Sequence, residues 1–303
     1  RKRTPSNIVK ELPPPPPIPS IAKPNINSTP ESPESQLGPL LEAYKPCIDW
    51  VRLASSEAFD SYPPAPASLA YDDLFILRFL LSRGSAEAAA KSVAEALKFR
   101  DDNRAWIEQC ATGKPHKYFD EFQKYIKMCL YKSSCFGEPV FLARPGLGDI
   151  KGVMKAIKTE DLLELFNYLK ETGFLLCDRL TRERGAIVKC VAVIDLDGMS
   201  LFKMDTGYFR CLGASSKIAE KIYPQLQCMA VIAHPPAVLR AIMKIIAVFA
   251  SKAFIEKQRT CPSGKTLVDH ANMMKCPFAS KRLIPEDTPD YLGGKDTSHP
   301  LNY

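Results

Sequence analysis

The feature that most constrains the fold is a rhythm of short, almost wholly apolar segments separated by helical stretches, which sets in after Gly113. Residues 139–143, 187–194 and 228–232 read as strands; 159–172, opening at Thr159-Glu160-Asp161, and 208–221 read as helices. Val191-Ala192-Val193-Ile194 lacks the alternation of a strand with one wet face, so it is expected to be buried on both faces. Strand, helix, strand in this order predicts an α/β fold with a mostly parallel sheet and crossover helices. No internal repeat is visible.

Ahead of this region the pattern is helical. Leu74, Leu77, Leu80 and Leu81 recur at helical spacing, Gly84 ends that helix, and Ser85 is placed to cap the alanine-rich helix after it. The expected layout is a small helical domain over 44–112, a sheet domain over 113–294 and a tail over 295–303. Residues 1–43 hold eleven of the 26 prolines and no aromatic residue. So little apolar surface does not offset chain entropy, and the segment is expected to be a disordered arm. Within it, Leu12 and the run from Pro13 to Pro17 suit a polyproline helix, either a solvated spacer or a ligand for a partner protein's aromatic groove.

The net charge of +7 is mild. It falls short of the dense basic patch that duplex nucleic acid demands, and it matches an anionic lipid surface. Ten cysteines include no Cys-x-x-Cys pair, and Arg1-Lys2-Arg3 is not followed by an apolar run. Reduced thiols and a cytoplasmic setting are therefore expected, with an upstream segment left open because the chain does not start with Met.

One helical stretch is unusually apolar. Between Ala237 and Ala250 the only polar residues are Arg240 and Lys244, four apart and so on one face. A surface helix has a wider polar side, and a bilayer span needs roughly 20 apolar residues. Such a helix is either buried or faces something oily.

Apparent catalytic motifs fail at defined positions. Gly146-Leu147-Gly148 has Lys151 where a dinucleotide loop needs its third glycine, and Ser263-Gly264-Lys265-Thr266 has Arg259 where a phosphate loop needs its first. His116, His234, His270 and His299 show no metal-ligand spacing, and Asp269-His270 with Cys276 lack an oxyanion-hole motif. Asp195 and Asp197 end a strand, but the Gly198 that follows favours a turn or a helix cap. Neither a catalytic residue nor a metal site is expected.

Five blocks in order resemble the CRAL-TRIO, or Sec14-like, lipid-transfer family over roughly 70–294. They are Leu77-Arg78-Phe79-Leu80 with Ser82-Arg83 and Phe99-Arg100; Gly137-Glu138-Pro139-Val140-Phe141; Ile194-Asp195-Leu196-Asp197-Gly198-Met199-Ser200; Tyr223-Pro224; and Pro289 to Gly294. The resemblance implies a helical N-terminal domain followed by a lipid-binding domain whose sheet floors an apolar pocket. That pocket would enclose one phospholipid as cargo, without any other cofactor. It also implies that the apolar helix is a mobile gate, with Val238, Ile242, Ile245, Ile246, Phe249 and Phe254 on it and Arg240 and Lys244 as a membrane-facing basic stripe.

For the headgroup, the resemblance implies Arg83 and Lys257 on a phosphate, with Gln225 and Leu226 standing where phosphatidylinositol-binding members carry Glu-Arg, and Phe254 in place of a threonine. Ala247-Val248-Phe249-Ala250-Ser251 replaces the family's proline turn, and the strand after Lys257 is expected to be a short edge strand. The implied function is non-enzymatic binding and exchange, at a membrane surface, of phosphatidylinositol against phosphatidylcholine. Two alternatives stay open: the same fold carrying a tocopherol-, retinoid- or sterol-like ligand, or an interaction protein working through its proline-rich arm.

Overall fold

A computed structural model of the chain describes residues 12–237, 239, 243–244, 247–248, 255–262, 276 and 279–298. The helical part comprises α1 (Leu37–Ala54), α2 (Ser56–Ser61), α3 (Asp73–Ser82), α4 (Ala86–Asp102), α5 (Arg104–Ala111) and α6 (Phe119–Tyr125). Short polar side chains start the helices: Ser85 accepts from the Ala88 amide of α4, as the sequence predicts, and Asp72 from the Phe75 amide of α3, both at 3.2 Å. Every residue from Leu74 to Leu81 is buried, Arg78 included.

The sheet domain continues with β1 (Met128–Ser133), β2 (Pro139–Ala143), α7 (Ile150–Ala156), α8 (Thr159–Arg184), β3 (Cys190–Asp195), α9 (Thr206–Ile222), β4 (Gln227–Ala233), β5 (Gln258–Thr260) and α10 (Ala279–Arg282). The strand order is β1-β2-β3-β4-β5. β1 runs antiparallel to β2, and all other neighbours are parallel. The order advances steadily in one direction, so right-handed crossovers put α8 and α9 on the same face.

Register then sorts the strand residues. Phe141, Ala192, Ala230 and Gln258 are partners across the sheet, as are Leu142, Val193, Val231 and Arg259. Consecutive residues point to opposite faces. The face with Val140, Leu142, Val191, Val193 and Val231 is sealed by Cys261, Cys276, Leu283, Tyr291, Leu292 and Ile26. The opposite face, with Ala143 and Ile232, meets Leu162, Leu165 and Phe166 of α8, Tyr208 and Phe209 of α9, and Leu239 and Met243. Val191, Val193 and Val231 thus belong to the sealed side, a choice the sequence left open.

Buried arginines fasten the helical part to α8. Arg100 makes a two-pronged ion pair with Glu171, at 2.7 and 2.8 Å, with both side chains almost completely buried. Arg78 donates to Thr181 Oγ1 at 2.9 Å and lies 3.6 Å from Asp178.

Several expectations change. From Leu12 onward the segment read as a disordered arm lies on the fold. The Pro13 carbonyl accepts from Trp50 Nε1, the Asn25 carbonyl from Lys189 Nζ and the Ser28 carbonyl from Arg282 Nη2. The helical domain presents a ready-made aromatic and thiol surface, so the prolines, already extended and low in entropy, dock without needing a core of their own. Residues 186–188 are buried but outside the sheet, because the Ile187 amide bonds the Ser35 carbonyl and the Val188 amide bonds Thr181 Oγ1. α8 runs twelve residues past the predicted end at Thr172, to Arg184, since burial on several sides outweighs the weak helix preference of Gly173. Cys261 and Cys276 form a disulfide where reduced thiols were expected.

Candidate functional site

In a parallel sheet covered on both faces the central strand should be fully enclosed. Here Ala192 and Ile194 of β3 and Phe141 of β2 are only half-buried on the helix side, although α8 and α9 lie across it. Leu130 of β1, on the same face, is 40% exposed. The crossover layer therefore covers this apolar floor only in part. A cavity of about 190 Å³ continues from this floor under α5 and α8, lined by Cys110, His116, Leu130, Phe141, Tyr168 and Leu169 among others. Its few polar groups are satisfied within the wall: the Tyr168 hydroxyl donates to the Lys114 carbonyl, and Cys110 Sγ lies 3.1 Å from Thr172 Oγ1. Burial pushes the Cys110 thiol up to about 12, so it stays protonated and serves as wall rather than nucleophile.

Two of the three residues read as headgroup ligands come together at the sheet edge where the parallel strands begin. Arg83 ends α3, and its Nε donates to Ser92 Oγ at 2.9 Å and its Nη2 to the Glu220 carbonyl at 3.1 Å. Gln225, in the left-handed region at φ 60°, donates to Ser82 Oγ at 3.0 Å. Lys257 opens β5 at the same edge, where burial lowers its pKa and Glu220 opposes that shift. Buried Lys189 lies nearby, brought down to about 8 by desolvation.

Of the gate residues, Val238, Arg240, Ile242, Ile245, Ile246, Phe249 and Phe254 lie outside the described residues, as do Ser263 to Thr266, Asp269, His270 and His299. Lys244 is helical and exposed. Leu239 and Met243 pack toward the sheet while Val248 is 72% exposed, so the described part of this segment is apolar both inward and outward.

The opposite edge, where the parallel strands end, holds a polar cluster that no sequence motif announced. Asp195, at the end of β3, is buried and pairs with Arg144 Nε at 3.0 Å and with His234 Nδ1 at 2.8 Å. The Arg144 guanidinium stacks 3.5 Å above the Tyr291 ring. Asp195 Oδ1 also accepts from the Asp197 amide, so the expected turn exists, but the carboxylate chiefly ties the residues that follow β2 and β4 to the end of β3, and Arg144 carries the link on to Tyr291. His234 sits at φ 45°, a strained position for a residue other than glycine, held by its hydrogen bond with Asp195 at the root of the apolar segment. The Gly146-Leu147-Gly148 run belongs to this edge as well: a Cβ on Gly146 would lie 2.0 Å from the Asp197 carbonyl oxygen, so the glycine lets two turns pack together. Among the described residues no cluster of His, Cys, Asp and Glu has the makings of a metal site, and no helix is long and apolar enough to cross a membrane.

Comparison with known proteins places this geometry. The CRAL/TRIO domain model matches residues 123–279. The CRAL-TRIO domain-containing protein T23G5.2 of Caenorhabditis elegans is 25% identical over 227 residues, 74% of this chain and 30% of the relative. Protein real-time of Aedes aegypti is 28% identical over 176 residues, 57% of this chain and 27% of the relative. The chain thus spans less than a third of the length of these curated relatives. The crystal structure of Sfh5 superposes with a TM-score of 0.56 at 16% identity, covering 87% of this chain and 88% of that one, which is a likeness of fold. With a family model spanning more than half of its residues, a matching sheet and a partly open apolar floor, the chain belongs to the CRAL/TRIO domain family of lipid-binding and lipid-transfer proteins.

Proposed function

We propose that the chain is a non-enzymatic carrier that encloses one phospholipid, phosphatidylinositol exchanging with phosphatidylcholine, and trades it at a membrane surface from the cytoplasm. The observation that carries this reading is the half-exposed apolar floor of Phe141, Ala192 and Ile194 beneath the crossover helices. Exposing two sixteen-carbon acyl chains costs on the order of 25 kcal/mol at ~0.8 kcal/mol per methylene. A carrier must therefore replace nearly all of the bilayer's burial, and a hollow between sheet and helices does so.

Arg83, Gln225 and Lys257 form the headgroup end. Two cations suit a phosphodiester, and the amide of Gln225 supplies a hydroxyl partner. Membrane docking uses the 237–254 segment, with Lys244 and Arg240 toward anionic headgroups and Val248 toward the acyl region. The turn after β3 adds Leu201 and Phe202, the latter 89% exposed, an apolar group that water disfavours and a lipid interface accepts. The Pro13 to Pro17 run is already engaged by Trp50 and Cys47, so a polyproline-binding partner would compete with the chain's own surface.

A second reading, a smaller hydrophobic ligand on the same floor, is favoured by Leu226 standing where the inositol-binding arginine is expected and by the modest cavity of about 190 Å³. Native mass spectrometry of protein purified from cells separates the two by the mass that co-purifies. Lys257→Ala is expected to reduce transfer of phosphatidylinositol between liposomes more than that of phosphatidylcholine. Equal losses for both lipids would overturn the headgroup assignment, and an empty protein that takes up no labelled lipid would overturn the carrier reading itself.

A further inference from the structure

The buried arginines among the described residues each face a carboxylate: Arg78 faces Asp178, Arg100 Glu171, Arg144 Asp195 and Arg282 Glu138. Lys170, in the middle of α8, does not. Its Nζ makes one hydrogen bond among the described residues, to Ser215 Oγ of α9 at 2.6 Å. That hydroxyl gives its own proton to Asn167 Oδ1 at 2.7 Å, so it acts on Lys170 purely as an acceptor. An ammonium has three protons to place, and two find no described partner.

The surroundings fix where Lys170 points. Phe166 and Phe174, one turn to either side, contact Tyr208 at the start of α9 and Tyr223 just past its end, at ring separations of 5.6 and 5.4 Å. Lys170 thus faces the middle of α9. Gly173 abuts Leu226 on the approach to β4, which places the sheet beside the same seam. Protein encases the side chain closely enough that desolvation alone brings its pKa down to about 7, with no charged group of either sign offsetting it. Yet Lys170 is only partly covered, so a ligand can reach it.

A lone cation kept in an apolar wall is costly unless something bound there compensates it. We propose that Lys170 is a binding site for an anionic oxygen of the cargo, a phosphate or a carboxylate, in the crevice between α8 and α9. The inference rests on the carrier reading above. It adds a contact far along the chain from Arg83 and Lys257, and it makes the bound ligand an acid. Ligand binding restores the missing counter-charge, so Lys170 takes up a proton as the acid docks, and affinity for acids falls as pH rises through 7.

The test compares loading of the full chain with oleic acid, dioleoyl phosphatidic acid, oleyl alcohol and dioleoylglycerol, read by native mass spectrometry at pH 6.5 and 8.5. At least one acid is expected to load about tenfold better than its uncharged counterpart at pH 6.5, the scale of one charge-assisted hydrogen bond, with most of that preference gone at pH 8.5. Preference for the fatty acid alone identifies a carboxylate as the source, and preference for phosphatidic acid alone identifies a phosphate. Lys170→Met should abolish the preference while leaving uncharged lipids unaffected, and the wild-type pH comparison stands if that variant does not fold. No acid preference in the wild type, or an undiminished one in Lys170→Met, overturns the proposal while the carrier reading survives. Failure of all four lipids to load overturns both.

Discussion

The sharpest prediction concerns Ala192, which sits in the middle of the central strand yet is only partly covered by the helices above it. Ala192→Phe pushes a ring into that gap. If the gap is hollow, the ring gains part of the roughly 1.5–3 kcal/mol that full burial of a phenylalanine is worth, about 1–2 kcal/mol for a side chain enclosed on most sides. At about 2 °C per kcal/mol for a chain of this size, the delipidated protein should melt some 2–4 °C higher. The same ring removes room for acyl chains, so lipid recovered by native mass spectrometry should drop severalfold. Val193→Phe supplies the contrast: Val193 is 1% exposed on the sealed face, where overpacking costs about 1–3 kcal/mol and lowers the melting temperature without touching the cargo space. If Ala192→Phe melted lower by several degrees and loaded lipid normally, protein atoms would fill the space over β3 and the floor would have to be sought elsewhere.

Two further outcomes follow. Glu171→Gln leaves the Arg100 guanidinium buried without its counter-charge and should cost about 3–5 kcal/mol in urea unfolding, whereas the Arg100→Met/Glu171→Leu double replacement should recover most of it; a loss below about 1 kcal/mol for the single change would refute the anchoring role. Stability should also rise between pH 7 and 8.5: Lys170 and Lys189 titrate at about 7 and 8 in the folded chain against about 10.5 unfolded, so the unfolded chain binds more protons in that window. Above roughly pH 9 the buried thiols, whose pKa values are raised, reverse the sign, because the unfolded chain then loses protons first. Thermal melts across pH 6.5–8.5 check this, and Lys170→Met should flatten the rise.

The parallel core was legible because its signal is local and strong. Residues 139–143 read as the strand that forms β2, and the runs read as strands at 187–194 and 228–232, which contain most of β3 and β4, are too continuously apolar for anything but a doubly covered sheet. β1 escaped notice because Met-Cys-Leu-Tyr-Lys-Ser has no β-branched residue, and its place is set by pairing with β2 rather than by its own preference. The Arg144–Asp195–His234 cluster was invisible for another reason: its members are 51 and 39 positions apart, and only the sheet gathers them. The hint available was that each closes or follows an apolar strand. Lys170 was hidden likewise, since a lysine amid Asn-Tyr-Leu-Lys-Glu-Thr reads as the wet side of a helix until α9 is laid against it.

The docked N-terminal segment sets an order of assembly. The carbonyls of Asn25 and Ile26 are held by Lys189 and Arg282, which are made 164 and 256 positions later. At 5–20 residues per second the ribosome takes roughly 13–50 s to deliver the second of these partners. For that interval the prolines have only the α1 surface to hold them, and contacts of such long sequence separation close late in folding. This stretch is thus fastened long after it is made, and it is the seam at which a chain interrupted before Arg282 would stay open.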